Sequence, residues 1–357
     1  MVNKQFWEGK KVLITGHTGF KGSWLSLWLK EMGAQIIGIS LEPETSPNLF
    51  DELELSKDSN LVHNLIDINN LIKIKEVFAT EEPEIIFHLA AQPLVRKSYR
   101  DPIETWQTNV MGSLNILEAI KCSNHKSLLV MITTDKVYQN NEWEFGYREN
   151  DPLGGHDPYS SSKAAAELAI SSWRSSFCGN LEHQNSNVYI STARSGNVIG
   201  GGDWAEDRIV PDFINGIFKK EKLFVRNPES TRPWQHVLEP LSGYIKLAEM
   251  MYSENQKFCS SFNFGPNLSS NKKVCELIRE MNRHFDQDCD IQVSETSLHE
   301  ANLLNLQIEK AYQYLNWFPK WNFEKTIFRT VNWYKLHYEG ESALECCLSD
   351  INEYQRN

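Results

Sequence analysis

Apolar residues fall along this chain in two alternating rhythms. Short, nearly unbroken runs occur at Lys11–Thr15 (KVLIT), Ala34–Ser40 (AQIIGIS), Glu84–Ala91 (EIIFHLAA), Leu128–Thr134 and Val188–Arg194 (VYISTAR). Such runs predict strands buried on both faces. A shorter run at Asn64–Ile68 (NLIDI) predicts another. Between them lie segments with apolar residues at helical spacing, SWLSLWLKEM ahead of Gly33 and TWQTNVMGSLNILEAIK at Thr105–Lys121. Strands alternating with helices predict an α/β fold with a doubly wound parallel sheet. Ligands of such sheets sit at the carboxyl ends of the strands.

The first strand runs straight into GHTGFKG and then a helix. This order makes the sheet Rossmann-type. Gly16 permits the tight turn, Gly19 lets backbone approach a pyrophosphate, and Gly22 lets the helix lie close to the sheet. The helix start then offers N–H groups and partial positive charge to phosphates. Gly16, His17, Gly19, Phe20, Lys21 and Gly22 are therefore expected to hold a dinucleotide. An acid for the adenosine ribose is expected roughly 20 residues further on, but Ser40 and Leu41 stand there and Glu42 lies just beyond. No Arg waits there for a 2′-phosphate, which favours NAD over NADP. Asp67 and Ile68 at the third strand are candidates for the adenine, with a solvated loop acid as the plain alternative for Asp67. Leu89, Ala90 and Ala91 end the fourth strand in small residues, which suits backbone passing beside the cofactor.

Composition narrows the field. The 357 residues suit one large or two coupled domains, and 41% hydrophobic with 23% charged residues is globular rather than disordered. A net charge of −11 disfavours general affinity for nucleic acid or acidic membranes. No run reaches the roughly 18 apolar residues of a membrane span, and no signal peptide is evident. Seven cysteines at irregular spacing without CxxC suit a reduced cytoplasm and suggest no metal. After Arg194 the pattern shifts to loops rich in Gly, Asn and Pro. The expected division is a dinucleotide-binding domain over 1–195 and a smaller C-terminal α/β substrate lobe over 196–357, with about 240–264 returning to the first.

The run MITTDKVY ends a predicted parallel strand with Thr134, Asp135 and Lys136, at the edge where ligands bind. A solvated ion pair between neighbours is the ordinary alternative. In DPLGGHDPYSSSKAAAEL, Tyr159 and Lys163 lie four apart and share one helical face. A neighbouring ammonium favours the phenolate, drawing a phenol pKa of about 10 downward so that tyrosine can act as a base.

These features stand in the order seen in extended short-chain dehydrogenase/reductases. GHTGFKGSWLSLWL, HLAAQPLVRKSY, TTDKVY, PYSSSKAAAEL, ARSGNVIGGGDWAEDRIVPD, RPWQHVLEPLSGY and HEANLLNLQIEKA together resemble the CDP-glucose 4,6-dehydratases, from residue 7 to about residue 335. The resemblance implies NAD-dependent conversion of CDP-D-glucose to CDP-4-dehydro-6-deoxy-D-glucose and water, in supply of deoxy sugars for lipopolysaccharide O-antigens. It also implies a homo-oligomer, dimer or tetramer, paired through helices near Met111 and Ala165. By the same resemblance Tyr159 is the C4 base, Lys163 its partner, Thr134 a contact to the reacting oxygen, and Asp135 the acid of water loss. The related dTDP-glucose dehydratases carry Thr-Asp-Glu at this strand end, so Lys136 replaces their base. A lysine of pKa near 10.4 must fall by about 3, worth roughly 4 kcal/mol, to act as a neutral base. The alternative is a fixed cation that stabilises the enolate.

On the sugar-nucleotide side, Asn197 is expected at a diphosphate oxygen. Arg208 and Arg232 offer planar donor forks for the two phosphates, with surface ion pairs as the bland reading. Glu300 contacts the ligand or braces the lobe, Trp204 is a base platform or core, and His236 is structural support. Two other readings compete: a related 4-epimerase or GDP- or dTDP-sugar dehydratase, and a dinucleotide-binding regulator without catalysis.

Overall fold

In the computed structural model the predicted apolar runs pair as strands whose ends lie within a few residues of those expected. The structure describes residues 2–179, 184, 185, 187–285, 288–293 and 303–356. Seven parallel strands form the sheet: β1 (Lys11–Thr15), β2 (Gln35–Ser40), β3 (Leu61–Leu65), β4 (Ile85–His88), β5 (Ser127–Ile132), β6 (Val188–Ser195) and β7 (Ser261–Phe264). Their order across the sheet is β7-β6-β5-β4-β1-β2-β3. The chain winds outward from β1 to β3, then crosses back to place β4 on the other side of β1. That reversal opens a crevice between the carboxyl ends of β1 and β4, where ligands of such sheets bind.

The strands read as continuous apolar runs because both faces are covered. Val12 and Ile14 of β1, Ile85 and Phe87 of β4, and Leu128, Val130 and Ile132 of β5 face one core. Leu13, Ile86, Leu129 and Met131 face the other, with Ile116, Leu117 and Ile170 from covering helices. Successive residues of a strand point to opposite faces, so two cores consume every position. Helix α1 (Phe20–Glu31) stops where predicted, at Gly33 with φ +90°.

Two predicted elements differ. The strand expected at Asn64–Ile68 lies three residues earlier, at β3, where Leu61 to Leu65 pair with Ile36 to Ser40. Pairing with β2 outweighs the local apolar run, and Asp67 falls in the following turn, accepting from the Asn69 N–H at 2.8 Å. The helix expected over Thr105–Lys121 is interrupted by a π segment at Gln107–Gly112. This widened turn directs Asn109 inward, where its amide donates to the Gln92 carbonyl at 3.1 Å and to Ser162 Oγ at 2.9 Å.

Beyond β6 the chain builds a smaller α/β lobe over the carboxyl edge of the sheet. It contains helix α3 (Ile209–Lys219), and three short strand pairs stitch it together, including Thr231–Pro233 against Asn271–Lys273. Helix α2 (Pro158–Phe177) flanks the sheet, and helix α4 (Phe323–Tyr338) braces the lobe from outside. The Tyr334 hydroxyl donates to the Asp203 carbonyl at 2.6 Å. A side chain on Gly201 would begin 2.0 Å from the Trp333 ring, so only glycine fits there.

Candidate active site

One cleft of about 1570 Å³ lies between the carboxyl edge of the sheet and the lobe. Its floor is the glycine turn. Gly16 has φ +75°, and a Cβ there would approach Ala90 N to 2.8 Å, so the ends of β1 and β4 meet backbone to backbone. A Cβ on Gly22 would lie 2.0 Å from the Gly16 carbonyl oxygen. Gly19 caps α1 with no side-chain hydrogen bond, leaving first-turn N–H groups to face the cleft. Glycines that admit backbone, small residues at Ala90 and Ala91 after Leu89, and a cleft this large fit a dinucleotide. Gly22→Ala must push α1 off the turn. The expected result is loss of cofactor binding in fluorescence titration, with a stability loss of about 1–3 kcal/mol in denaturant melts.

Near the end of β2, Thr18 Oγ1 lies 2.7 Å from Ser40 Oγ and donates to the Leu41 carbonyl at 2.9 Å. Ser40, Leu41, Glu42, Asp67 and Ile68 line the cleft, and so do Phe20 and Lys21. His17 does not. It is fully buried beneath β2, its Nε2 2.7 Å from His63 Nδ1, and a Cβ on Gly38 would meet its ring at 2.5 Å. Burial and the neighbouring imidazole push His17 down to about 4. The reading of His17 as a cofactor contact is thus corrected: its side chain fills space under the turn, because the glycine of β2 leaves a ring-sized hole.

The central group forms where β5 ends. Thr134 Oγ1 donates to Asp135 Oδ1 at 2.9 Å and accepts from the Lys136 N–H at 3.3 Å. Asp135 is buried, and burial raises its carboxyl against the pull of Lys136, Thr134 and more distant cations. A Cβ on Gly196 would stand 2.8 Å from Asp135 Oδ2, so the chain opposite is bare to admit the acid. Lys136 Nζ lies 5.9 Å from the Tyr159 ring centroid.

Tyr159 and Lys163 occupy the first two turns of α2. Asp157 starts this helix with a reciprocal cap, accepting from the Ser160 N–H at 2.9 Å, and Pro158 follows at the first helical position. Burial pushes the Tyr159 phenol up to about 12, while hydrogen bonding with Thr134 and the Arg208 charge pull the other way. Burial also brings Lys163 down to about 8, opposed by Glu167. The expectation that Lys163 draws the phenol toward neutrality meets an opposing effect here: burial of the phenol outweighs the pull of Thr134 and Arg208. Lys21 reaches the same group rather than the phosphate end. Its Nζ donates to Ser195 Oγ at 3.0 Å, and burial and the Arg208 charge bring it down to about 7.

Asn197, Arg208 and Arg232 line the lobe side of the cleft. Arg208 is held by Asp203 at 2.8 Å, and Arg232 donates to the Thr231 carbonyl at 3.0 Å. Asp207, with φ 60°, bridges Arg96 at 2.9 Å and Arg226 at 3.0 Å across the cleft mouth. Glu300 lies outside the described residues. Trp204 is part of the packing, edge-on to Tyr334 at 5.3 Å with Nε1 donating to Glu52 at 3.2 Å. His236 is buried against Trp321 at 4.8 Å. Among the described residues no cluster of His, Cys, Asp or Glu could hold a metal, and no helix is long and apolar enough to cross a membrane. Asn109, Ser195, Asp203 and Asp207 escaped the sequence reading. Only Asp203, five residues before Arg208 in a glycine-rich loop, carried a local signal.

A Rossmann-type sheet with a Tyr-Lys helix face and a Thr-Asp-Lys strand end beneath one cleft is the layout of an extended short-chain dehydrogenase/reductase. The chain belongs to the GDP-mannose 4,6 dehydratase family, whose pattern it matches over residues 13–330. It is 46% identical over 356 residues to a CDP-glucose 4,6-dehydratase of Salmonella typhimurium, covering 99% of this chain and 98% of that one. A dTDP-glucose 4,6-dehydratase of Haemophilus influenzae is 26% identical, over 90% of this chain and 97% of its own. Among solved structures, a Bacillus anthracis dTDP-glucose 4,6-dehydratase in complex with NAD superposes with a TM-score of 0.78 at 22% identity. That match covers 94% of this chain and all of the other.

Proposed function

We propose that this protein dehydrates CDP-D-glucose to CDP-4-dehydro-6-deoxy-D-glucose, with NAD as a recycled cofactor. One observation carries the reading: Asp135 and Lys136 meet Tyr159 and Lys163 in a single cleft. A 4-epimerase needs only a base and cofactor at C4, and a silent dinucleotide-binding regulator needs neither pair. Full-length identity of 46% to the Salmonella enzyme named for this substrate supports the nucleotide base. The glycine turn and Leu89–Ala91 would hold the dinucleotide, and Asn197, Arg208 and Arg232 the diphosphate.

A nicotinamide dinucleotide held by the glycine turn and Leu89–Ala91 would supply a hydride acceptor for sugar C4 and a hydride donor to C6. Tyr159 takes the C4 hydroxyl proton, with Thr134 on the same oxygen and Lys163 charged behind it. The resulting C4 ketone acidifies the C5 proton. That proton leaves to a base, its electron pair forms the C5–C6 double bond, and the C6 hydroxyl departs as water with a proton from Asp135. Burial raises the Asp135 carboxyl, which favours the protonated acid this step requires. Lys136 supplies the base or the positive charge that holds the enolate. Addition of hydride at C6 and a proton at C5 completes a methyl group.

The test is incubation with CDP-glucose and catalytic NAD in heavy water, followed by NMR. A 6-deoxy-4-keto product with deuterium at C5 is expected; a C4 epimer or unchanged sugar would sink the proposal.

Ile103, Trp106, Met111 and Leu168 are exposed on neighbouring helices. We assign that apolar surface to a second copy of the chain, consistent with a homo-oligomer. Light scattering that gives a monomer mass would refute this. Seven thiols without a disulfide suit a reducing compartment, and we place the protein in the cytoplasm. Recovery from an oxidising compartment after cell fractionation would contradict this.

A further inference from the structure

Glu167 and Arg194 form a buried pair that the mechanism above does not use. Both are nearly solvent-free, and the contact is two-pronged: Arg194 Nε donates to Glu167 Oε1 at 2.9 Å and Nη2 to Oε2 at 2.8 Å. Such a fork fixes direction as well as distance. What distinguishes this pair is what hangs from it. Thr133 Oγ1 donates to Glu167 Oε1 at 2.6 Å. Arg194 Nη1 donates to the Tyr138 hydroxyl at 2.8 Å, and that hydroxyl donates onward to Asn263 Oδ1 at 2.7 Å. Thr133 immediately precedes Thr134, Asp135 and Lys136; Tyr138 follows them after Val137. Both ends of the catalytic turn are thus moored to the same buried ion pair.

The pair also reaches the other half of the site. Glu167 stands four residues beyond Lys163 and eight beyond Tyr159 on α2, on one face of the helix. Thr192 of β6 donates to Glu167 Oε2 at 3.1 Å, and Ser261 of β7 accepts from Arg194 Nη2 at 3.1 Å. Four elements converge on one carboxylate and one guanidinium. A buried pair of this kind is weak evidence of stabilisation, since apolar residues of the same volume pack as well or better. Its value lies in specifying geometry.

We infer that Glu167 and Arg194 are positioning residues, which hold the 134–136 turn at a set distance from Tyr159 so that Asp135 and Lys136 meet C5 and C6 of the sugar. The inference rests on the dehydratase reading. Tyr159 and Lys163 ride on their own helix and keep their place when the turn shifts. The acid and base of water loss do not. Slack in the mooring therefore falls more heavily on elimination, which loses both Asp135 and Lys136, than on C4 oxidation, which keeps Tyr159 and Lys163 and shares only the Thr134 contact.

The variants that cut single moorings are Thr133→Val, which keeps shape and loses the bond to Glu167, and Tyr138→Phe, which loses the bonds to Arg194 and Asn263. Misplacement by about 1 Å costs up to ~100-fold in rate. Each variant is expected to slow deuterium entry at C5 by about 10- to 100-fold, while single-turnover C4 oxidation changes by less than about threefold. The double variant should fall short of the product of the two effects, because both act on one turn. Thermal unfolding of each variant serves as the folding control, and Tyr138→Phe stands alone if Thr133→Val does not fold. Equal losses in both half-reactions, or none in either, would overturn the inference. Wild type that makes no 6-deoxy-4-keto sugar would instead overturn the dehydratase reading itself.

Discussion

Tyr159→Phe should lower the single-turnover rate of C4 oxidation by about 10²- to 10⁴-fold, the range that one positioned general base supplies. The phenol is the atom of this chain best placed to receive the C4 proton: it is buried at the start of α2, close to Thr134 and Arg208. Phenylalanine keeps the ring beneath Lys136 and the packing of the helix, so sugar-nucleotide affinity should change by no more than about threefold. A loss in rate without a loss in binding marks an interaction made in the transition state. Burial pushes the phenol up to about 12, so C4 oxidation by this base should quicken as pH rises toward that value. Oxidation that persists within tenfold of wild type would remove Tyr159 from the role.

Lys136→Met should produce the opposite division. C4 oxidation should survive, measured as nicotinamide absorbance in a single turnover, while deuterium exchange at C5 falls by about 10²- to 10⁴-fold. Methionine preserves length and removes both the charge and the amine. Lys136→Arg then separates the two roles. Arginine remains charged at any accessible pH, so it restores exchange if Lys136 is a fixed cation and fails to restore it if Lys136 is a base. Exchange at full rate in Lys136→Met would exclude both. Lys21 is the other lysine to test in that event, since burial and the Arg208 charge bring its amine down to about 7 within the same group.

The parts of the site read directly from sequence are those whose chemistry is contiguous. Gly16, Gly19 and Gly22 follow a strand and open a helix, and that order together with their spacing marks a candidate phosphate turn. Tyr159 and Lys163 share a helix face by periodicity. Asp135 and Lys136 end a buried run. Misjudged residues are those whose surroundings come from elsewhere in the chain. His17 lies inside the glycine motif yet turns under β2, because Gly38 vacates the volume its ring occupies. Lys21 belongs to the same motif but points to Ser195, 174 residues away. The phenol of Tyr159 was expected to be acidified by its neighbour, but its protonation depends on how much water the lobe excludes, which no spacing records.

The sequence by itself determined the alternation of strand and helix, the glycine turn between β1 and α1 and the two candidate pairs, Asp135 with Lys136 and Tyr159 with Lys163, because period and adjacency act over a few residues. The tertiary structure alone decided that β4 returns beside β1 to open the cleft and that Asp203 holds Arg208. It alone decided that Thr133 and Tyr138 share one buried ion pair. These depend on which distant segments exclude water from one another, and burial is a property of the assembled fold rather than of any stretch of chain.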